Sequence, residues 1–321
     1  MLRLAHRILS QTPLTMEPVV RAHAHDMAGL RQRVQNEREL LRRAPVFIID
    51  NVAEFYGRSE QQDWGPKDFP NCAPPFPMFF MEWNVTDLRL PDRLVPAVEQ
   101  SSLQDGFLFW STSPAVWLNT IQVGQWVKCQ DTIGRIVTVL EGHPDAWVLS
   151  GSFWMANRNN GVPGWVGALI TALVDHSGEL VEQWALGYMD PDTLKDVQSQ
   201  LRIPLLALSF LHCKNVVVHD ATESAGPPAK WLRRQRQPTL RYHVLDIDPM
   251  RKVLRTEGQS ETTGLKRALH ICRGHFARYT PEAPLFGKHV GTFWHPSHVR
   301  GTAEAGQVEK DYRVLTSPVK P

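Results

Sequence analysis

The chain has 321 residues, of which 42% are hydrophobic and 21% are charged, as expected for a globular protein with one large or two ordinary domains. The longest apolar runs, such as residues 168–174, are far shorter than the roughly 20 residues that a membrane-spanning helix needs. No apolar segment of signal-peptide length opens the sequence. We therefore expect a soluble, cytoplasmic protein without a membrane partner.

The charge is unevenly distributed, although the net charge is only +2. Residues 46–227 carry 10 Lys and Arg against 21 Asp and Glu, a net charge of −11. Residues 228–300 carry 14 against 5, a net charge of +9, together with six histidines. A basic segment attracts polyanions whatever the rest of the chain carries, so the C-terminal third is the predicted polyanion-binding part.

The first 187 residues predict a helix followed by an irregular layer and a sheet. Residues 15–43 carry apolar side chains at helical spacing, and repeated prolines between 57 and 96 interrupt regular structure. Short apolar segments separated by turn residues then predict an antiparallel meander. These segments are Phe107–Trp110, Ile133–Leu140, Ala146–Trp154, Trp165–Val174 and Leu180–Leu186.

Residues 204–213 predict a short buried helix, and residues 216–219 predict a strand. The fold class that follows is α+β, with an N-terminal helix, a mostly antiparallel sheet and a small basic β-rich C-terminal module. The module is expected to contain strands at 241–247, 269–279 and 290–299. The predicted organisation is an α+β domain over 1–220, a flexible basic linker over 221–240, a His/Arg-rich β module over 241–301 and a polar tail over 302–321.

The densest chemistry lies in the segment that begins at His270. A ribonuclease without a metal needs a base for the 2′-hydroxyl proton, an acid for the leaving oxygen and a cation for the phosphorane charge. Histidine serves as acid or base near neutral pH. If the protein is an enzyme, we therefore expect a ribonuclease with the catalytic residues His270, Arg273, His275 and Tyr279.

The same region provides residue types that bind RNA without cutting it. Arginine, lysine and histidine contact phosphates, and aromatic rings stack on unpaired bases. The predicted RNA-binding residues are Arg233, Arg234, Arg236, Phe276, Lys288, Trp294, His298 and Arg300. A purely structural alternative has the aromatics lining a small barrel while the Arg and His side chains make internal hydrogen bonds.

A zinc site is the competing interpretation of the histidines. His270, Cys272, His275, His295 and His298 offer suitable ligands, but their spacing matches no standard zinc ribbon or finger. Arg273 lies between candidate ligands, where its charge would oppose a dication. The chain also lacks the glycine-rich phosphate and dinucleotide loops and the Gly-x-Ser-x-Gly and His-Glu-x-x-His motifs. We expect no metal and no cofactor.

The block His270-x-x-Arg273-Gly274-His275-Phe276, the aromatic strand that ends at Trp294 and the closing Val299-x-Gly301 resemble the C-terminal signature of the type V-A anti-CRISPR family. That family blocks biogenesis of the CRISPR effector nuclease. Residues 204–216 and 242–245 are similar to its wider relatives in phages and other mobile elements. The resemblance covers residues 200–301.

The resemblance implies an anti-CRISPR-like negative regulator in a bacterial host cell, which recognises a nascent target polypeptide and triggers decay of its mRNA. Its partners would be the nascent peptide and RNA, either mRNA or the ribosome. The acidic region 46–227 suits a basic peptide and the basic region suits RNA, so 1–220 becomes the expected recognition domain. The alternatives are a metal-independent, toxin-type ribonuclease and a passive RNA-binding accessory protein.

Overall fold

A computed structural model describes residues 2–10, 27–58, 68–84, 104–123, 130–156, 162–187, 191–247, 268–272, 275–295, 298–300 and 302–307. The chain divides into two compact units, Met1–Ile247 and Asp248–Pro321. Helices and a large sheet occur together in the first unit, which confirms the predicted α+β class. Within the described ranges, no helix is both long and apolar enough to cross a membrane.

An eight-stranded sheet forms the centre of the first unit, with the strand order β6-β5-β4-β3-β2-β1-β8-β7. Its strands are β1 (Val46–Ile48), β2 (Met78–Asn84), β3 (Gln104–Thr112), β4 (Trp147–Ala156), β5 (Pro163–Val174), β6 (Leu180–Gly187), β7 (Val217–Asp220) and β8 (Tyr242–Asp246). Strand β1 pairs in parallel with β2 and with β8, and the other neighbouring pairs are antiparallel. The prediction of a mostly antiparallel sheet is therefore confirmed.

The described helices of the first unit include the predicted N-terminal helix and the predicted buried helix, which are α2 and α7. The helices are α1 (Leu4–Ser10), α2 (Met27–Leu41), α3 (Asp50–Arg58), α4 (Pro114–Val123), α5 (Gln130–Glu141), α6 (Pro191–Gln200), α7 (Arg202–Leu211), α8 (Thr222–Ala225) and α9 (Ala229–Gln235). Residues 15–26 of the predicted N-terminal helix lie outside the described residues.

Strand alternation divides the core of the first unit into two layers. On one face, Phe80 and Leu108 pack with Leu4 and Ile8 of α1. The neighbouring strand positions point the other way and form stacked aromatic pairs: Phe79 with Phe109 at 5.1 Å, Phe107 with Phe109 at 5.3 Å, and Phe107 with Phe153 at 4.7 Å between ring centroids. Burial of these large rings supplies much of the hydrophobic stabilisation of the sheet.

The strand predicted over Ile133–Leu140 is wrong, because these residues belong to helix α5. The run of β-branched residues favours a strand locally, but Ile136 and Leu140 are four residues apart and lie on one helical face. Both are buried in a cluster with Trp117 and Trp184. Burial of this face in the tertiary structure outweighs the weak local preference.

The irregular layer predicted between residues 57 and 96 contains strand β2. Pro77 immediately precedes the strand and the next proline is Pro91, so no proline removes an amide donor from β2. Phe79, Phe80 and Trp83 of this strand are buried. They are therefore core residues of the sheet and not part of a covering loop.

The domain boundary lies between Ile247 and Asp248 and not at residue 220 as the sequence predicted. The predicted flexible linker, 221–240, contains helices α8 and α9, and Leu232 and Leu240 are buried. The strand predicted at the start of the C-terminal module is β8, in which Tyr242 pairs with Val46 of β1. Val46 and Tyr242 are far apart in the sequence, so their pairing depends on the apolar surface that the whole sheet buries. The composition of either segment alone does not encode that pairing.

The described part of the second unit contains two small sheets. Strands β9 (Ala268–Cys272), β12 (His298–Arg300) and β13 (Thr302–Gln307) form one sheet, and β10 (His275–Tyr279) and β11 (Gly291–His295) form the other. The strand predicted over 269–279 is therefore two strands in different sheets. Residues 302–307 of the predicted polar tail form β13, which pairs with β9. Residues 308–321 lie outside the described residues.

Candidate functional site on the β10–β11 hairpin

The register of the β10–β11 hairpin determines which side chains share a face. The pairs are His275 with His295, Phe276 with Trp294, Ala277 with Phe293, Arg278 with Thr292 and Tyr279 with Gly291. Because successive residues of a strand point to opposite faces, His275, Tyr279, Phe293 and His295 share one face, and Phe276 and Trp294 share the other.

A continuous row of five rings runs along the first of these faces. We call it the ring row and define it as His275, Tyr279, His289, Phe293 and His295. The centroid distances between neighbouring rings are 5.2 Å for His275 and His295, 6.0 Å for Tyr279 and His295, 5.8 Å for Tyr279 and Phe293, and 6.2 Å for His289 and Phe293. These separations lie in the range of favourable aromatic contacts, so the rings support one another.

The two paired histidines have different environments. The phenol oxygen of Tyr279 lies 3.0 Å from Nε2 of His295 in a hydrogen bond, and His295 is buried. The ring of His275 stacks on His295 with an angle of 14° between the planes, and His275 is exposed. One imidazole is therefore held in place by a hydrogen bond, while the other faces solvent.

The loop between the two strands presents further groups of the same kinds. Backbone hydrogen bonds join Leu285 and His289 in both directions, at 2.8 and 3.0 Å, and close a tight turn between them. Phe286, Lys288 and His289 are exposed, and Val290 follows with 44% exposure. The loop thus adds an aromatic ring and a lysine beside His289, one end of the ring row.

Of the predicted catalytic residues, the structure brings together His275 and Tyr279, through their shared contact with His295. The backbone of His270 pairs with Arg300 in the other small sheet, and its side chain lies outside the described part of the structure. Arg273 lies outside the described residues altogether. The described hairpin thus supplies two imidazoles, those of His275 and His295, and the phenol of Tyr279. The predicted cation, Arg273, is not among its described residues.

The predicted RNA-binding residues fall into three groups. Lys288 is exposed in the hairpin loop, whereas Trp294 is 3% exposed and packs on Phe276 at 4.9 Å. We therefore assign Trp294 to packing of the hairpin. The side chains of His298 and Arg300 lie outside the described ones.

The remaining group, Arg233, Arg234 and Arg236, lies at the C-terminal end of α9 in the first unit. All three are exposed, and the amide of Arg236 donates to the last carbonyls of the helix. Cations at this end of a helix interact favourably with its dipole. That interaction accounts for the three arginines without a bound ligand. They lie in the first unit and the ring row lies in the second, so we do not assign them to the ring row.

Sequence analysis missed two residues of this surface, His289 and Phe286, and considered His295 only as a zinc ligand. The missing information was the register. Aligning His-Phe-Ala-Arg-Tyr antiparallel to Gly-Thr-Phe-Trp-His pairs histidine with histidine and phenylalanine with tryptophan. This cross-strand pattern was available in the sequence as a hairpin signal.

Among the described side chains, no group of three or more His, Cys, Asp and Glu residues is arranged to hold a metal ion. The side chains of His270, Cys272 and His298 lie outside this set. The expectation of no bound zinc therefore stays a prediction.

A second polar cluster lies in the first unit, where α1 meets the ends of β1 and β2. The amide of Ala5 donates to Oε2 of Glu82 at 2.8 Å, and Arg3 donates to Asp50 at 2.9 Å. Burial raises the pKa of the Glu82 carboxyl to about 7. Since its members bond to one another and to the backbone of α1, we interpret this cluster as a structural attachment of the helix.

Comparisons of the chain with protein-family models, with curated proteins and with solved structures found no match.

Proposed function

We propose that the protein is a negative regulator that acts through RNA, and that the hairpin of the second unit is its RNA contact. The ring row carries this proposal, because the rings at its two ends, His275 and His289, are exposed and are supported by the rings between them. Aromatic side chains gain about 1–3 kcal/mol for each base that stacks on them. Unpaired bases are the main targets of specific RNA recognition, so single-stranded RNA is the proposed ligand.

The proposed regulator recognises a nascent polypeptide and triggers decay of the mRNA that encodes it. The resemblance of residues 200–301 to the type V-A anti-CRISPR family supports this wider role. The acidic excess of residues 46–227, which lie in the first unit, supports a basic peptide as the recognised partner. Peptide recognition would then belong to the first unit and RNA contact to the second.

A metal-independent ribonuclease is the second candidate, favoured by the two stacked imidazoles of His275 and His295. Such a pair supplies a base and an acid for cleavage at the 2′-hydroxyl. Strand alternation places Arg278 on the opposite face, so the described part of this face provides the pair without an arginine. Stabilisation of the phosphorane charge also needs a cation. We favour binding over cleavage because His295, one member of the pair, is buried and its Nε2 is hydrogen-bonded to Tyr279.

Ribosome profiling combined with mRNA quantification tests the proposal in bacterial cells that express the protein. Loss of one or a few transcripts is expected from the wild type and not from His275→Ala. The control is Glu282→Gln, an exposed substitution in the same hairpin, which should behave as the wild type. Global loss of RNA would instead indicate a ribonuclease, and unchanged transcript levels would contradict a role in decay.

A further inference from the structure

Phe286 has an unusual backbone conformation for its residue type. Its φ is 52° and that of Gly287 is 71°, and the amide of Lys288 donates to the carbonyl of Leu285 at 3.1 Å. Two successive residues with positive φ inside such a hydrogen bond are typical of a type I′ turn. The first central position of this turn favours Asn, Asp and Gly, and a bulky side chain there is strained.

Burial of the Phe286 side chain contributes little stabilising free energy to offset this strain. The side chain is 44% exposed. Phe76 is exposed to a similar degree at 43%, but its ring lies 6.1 Å from that of Phe47. Phe286 therefore combines an unfavourable backbone conformation with a water-exposed ring. Neither turn formation nor core packing explains a phenylalanine at this position, so an external contact is the remaining physical reason.

The groups beside Phe286 indicate the chemistry of that contact. Lys288 and His289 are exposed, and the ring of His289 continues into the ring row through Phe293. A cation beside a stacking ring is the combination that binds a nucleotide, since the base stacks and the phosphate is neutralised. Insertion into a membrane would instead require a larger buried apolar surface than one exposed ring in a tight turn provides.

We propose that Phe286 is a base-stacking residue of the hairpin, which takes an unpaired base of single-stranded RNA while Lys288 contacts the adjoining phosphate. This inference rests on the proposed RNA-binding function and deepens it by naming a residue that selects unpaired over paired bases. Bases in a duplex are already stacked on their neighbours, so Phe286 contributes nothing to duplex binding.

The test compares Phe286→Asn and Phe286→Trp with the wild type, each as the full chain. The probe is a short single-stranded RNA that contains 2-aminopurine, whose fluorescence is quenched when it stacks. Phe286→Asn should unfold at the same or a higher temperature, because Asn tolerates positive φ. It should bind the RNA about tenfold more weakly or worse, with less quenching. Phe286→Trp should retain the affinity and the quenching.

Each outcome decides between the two proposals. Wild type that binds the RNA, with Phe286→Asn binding equally well, overturns the role of Phe286 and leaves the proposed RNA contact intact. Wild type that does not bind single-stranded RNA overturns both, as does Phe286-dependent binding to anionic phospholipid vesicles alone. Should Phe286→Asn fold poorly, Phe286→Gly replaces it, since glycine adopts positive φ freely. Undiminished affinity of that variant overturns the inference in the same way.

Discussion

Tyr279 and His295 are joined across the β10–β11 hairpin by a hydrogen bond of 3.0 Å between the phenol oxygen and Nε2. The bond links the two strands diagonally, because His295 is the cross-strand partner of His275 and Tyr279 lies four positions further along β10. It also fixes the ring of His295, on which the exposed ring of His275 stacks. The geometry of the ring row thus depends on a polar contact inside an otherwise aromatic surface.

Replacement of Tyr279 by Phe tests this dependence. The variant keeps the ring and its contact with Phe293 but removes the hydroxyl group, so we expect a loss of about 1 kcal/mol in the stability of the hairpin. Amide hydrogen exchange of residues 275–279 and 291–295 measures the stability of the hairpin. The affinity for RNA should fall together with the protection of these amides from exchange. Unchanged protection would show that the hydrogen bond does not hold His295.

Replacement of His275 by Ala separates function from folding. His275 is exposed but its ring stacks on His295, so we expect the free energy of unfolding to fall by about 0.5–1.5 kcal/mol, while RNA binding and mRNA decay are lost. His295→Ala is the comparison, since His295 is buried and its loss should lower stability as well as binding. The sequence predicts the same functional loss for His270→Ala and Arg273→Ala. A large loss of stability in His275→Ala would favour a structural role for this residue.

Salt dependence of RNA binding tests the role of the basic residues. Each phosphate that the protein neutralises releases a counterion, so the logarithm of the association constant should fall by about 0.7 per logarithmic unit of salt for each contact on a single strand. Lys288→Ala should reduce the slope by one such increment. Fluorescence anisotropy over a salt series gives both slopes. Binding that does not respond to salt would contradict phosphate contacts.

Stability should depend on pH through Glu82. Burial raises the pKa of its carboxyl from the ordinary value of 4.5 to about 7, despite the opposing charges of Arg3 and Arg7. Between pH 4.5 and about 7 the folded protein therefore holds a proton that the unfolded chain releases. The resulting stabilisation is complete below pH 4.5 and is lost as the pH rises through about 7. The shift corresponds to about 3 kcal/mol.

The Glu82→Gln variant removes the titrating group and keeps an acceptor for the amide of Ala5. We expect it to lose this pH dependence and to be more stable than the wild type above neutral pH. Urea denaturation at pH 5 and pH 8 measures the difference, and the exposed substitution Glu141→Gln serves as the control. Equal pH profiles for Glu82→Gln and the wild type would contradict the assignment.

Local pattern in the sequence determined the α+β class, the buried helix α7, the charge difference along the chain and the concentration of histidines and aromatics after residue 270. These properties follow from the period of apolar residues and from composition, which need only neighbouring residues. Helix α7 is an example: residues 205–208 are all apolar and all lie buried.

The tertiary structure alone decided which distant segments pair. Val46 meets Tyr242 in a parallel register, which brings residues 242–246 into the large sheet and moves the boundary to Ile247. It also decided that α5 is a helix, and it fixed the register in which His275 faces His295, for which the sequence offers only a hairpin pattern. Strand pairing and register are set by the apolar surface that the assembled sheet buries, and that quantity belongs to the whole chain and not to any single segment.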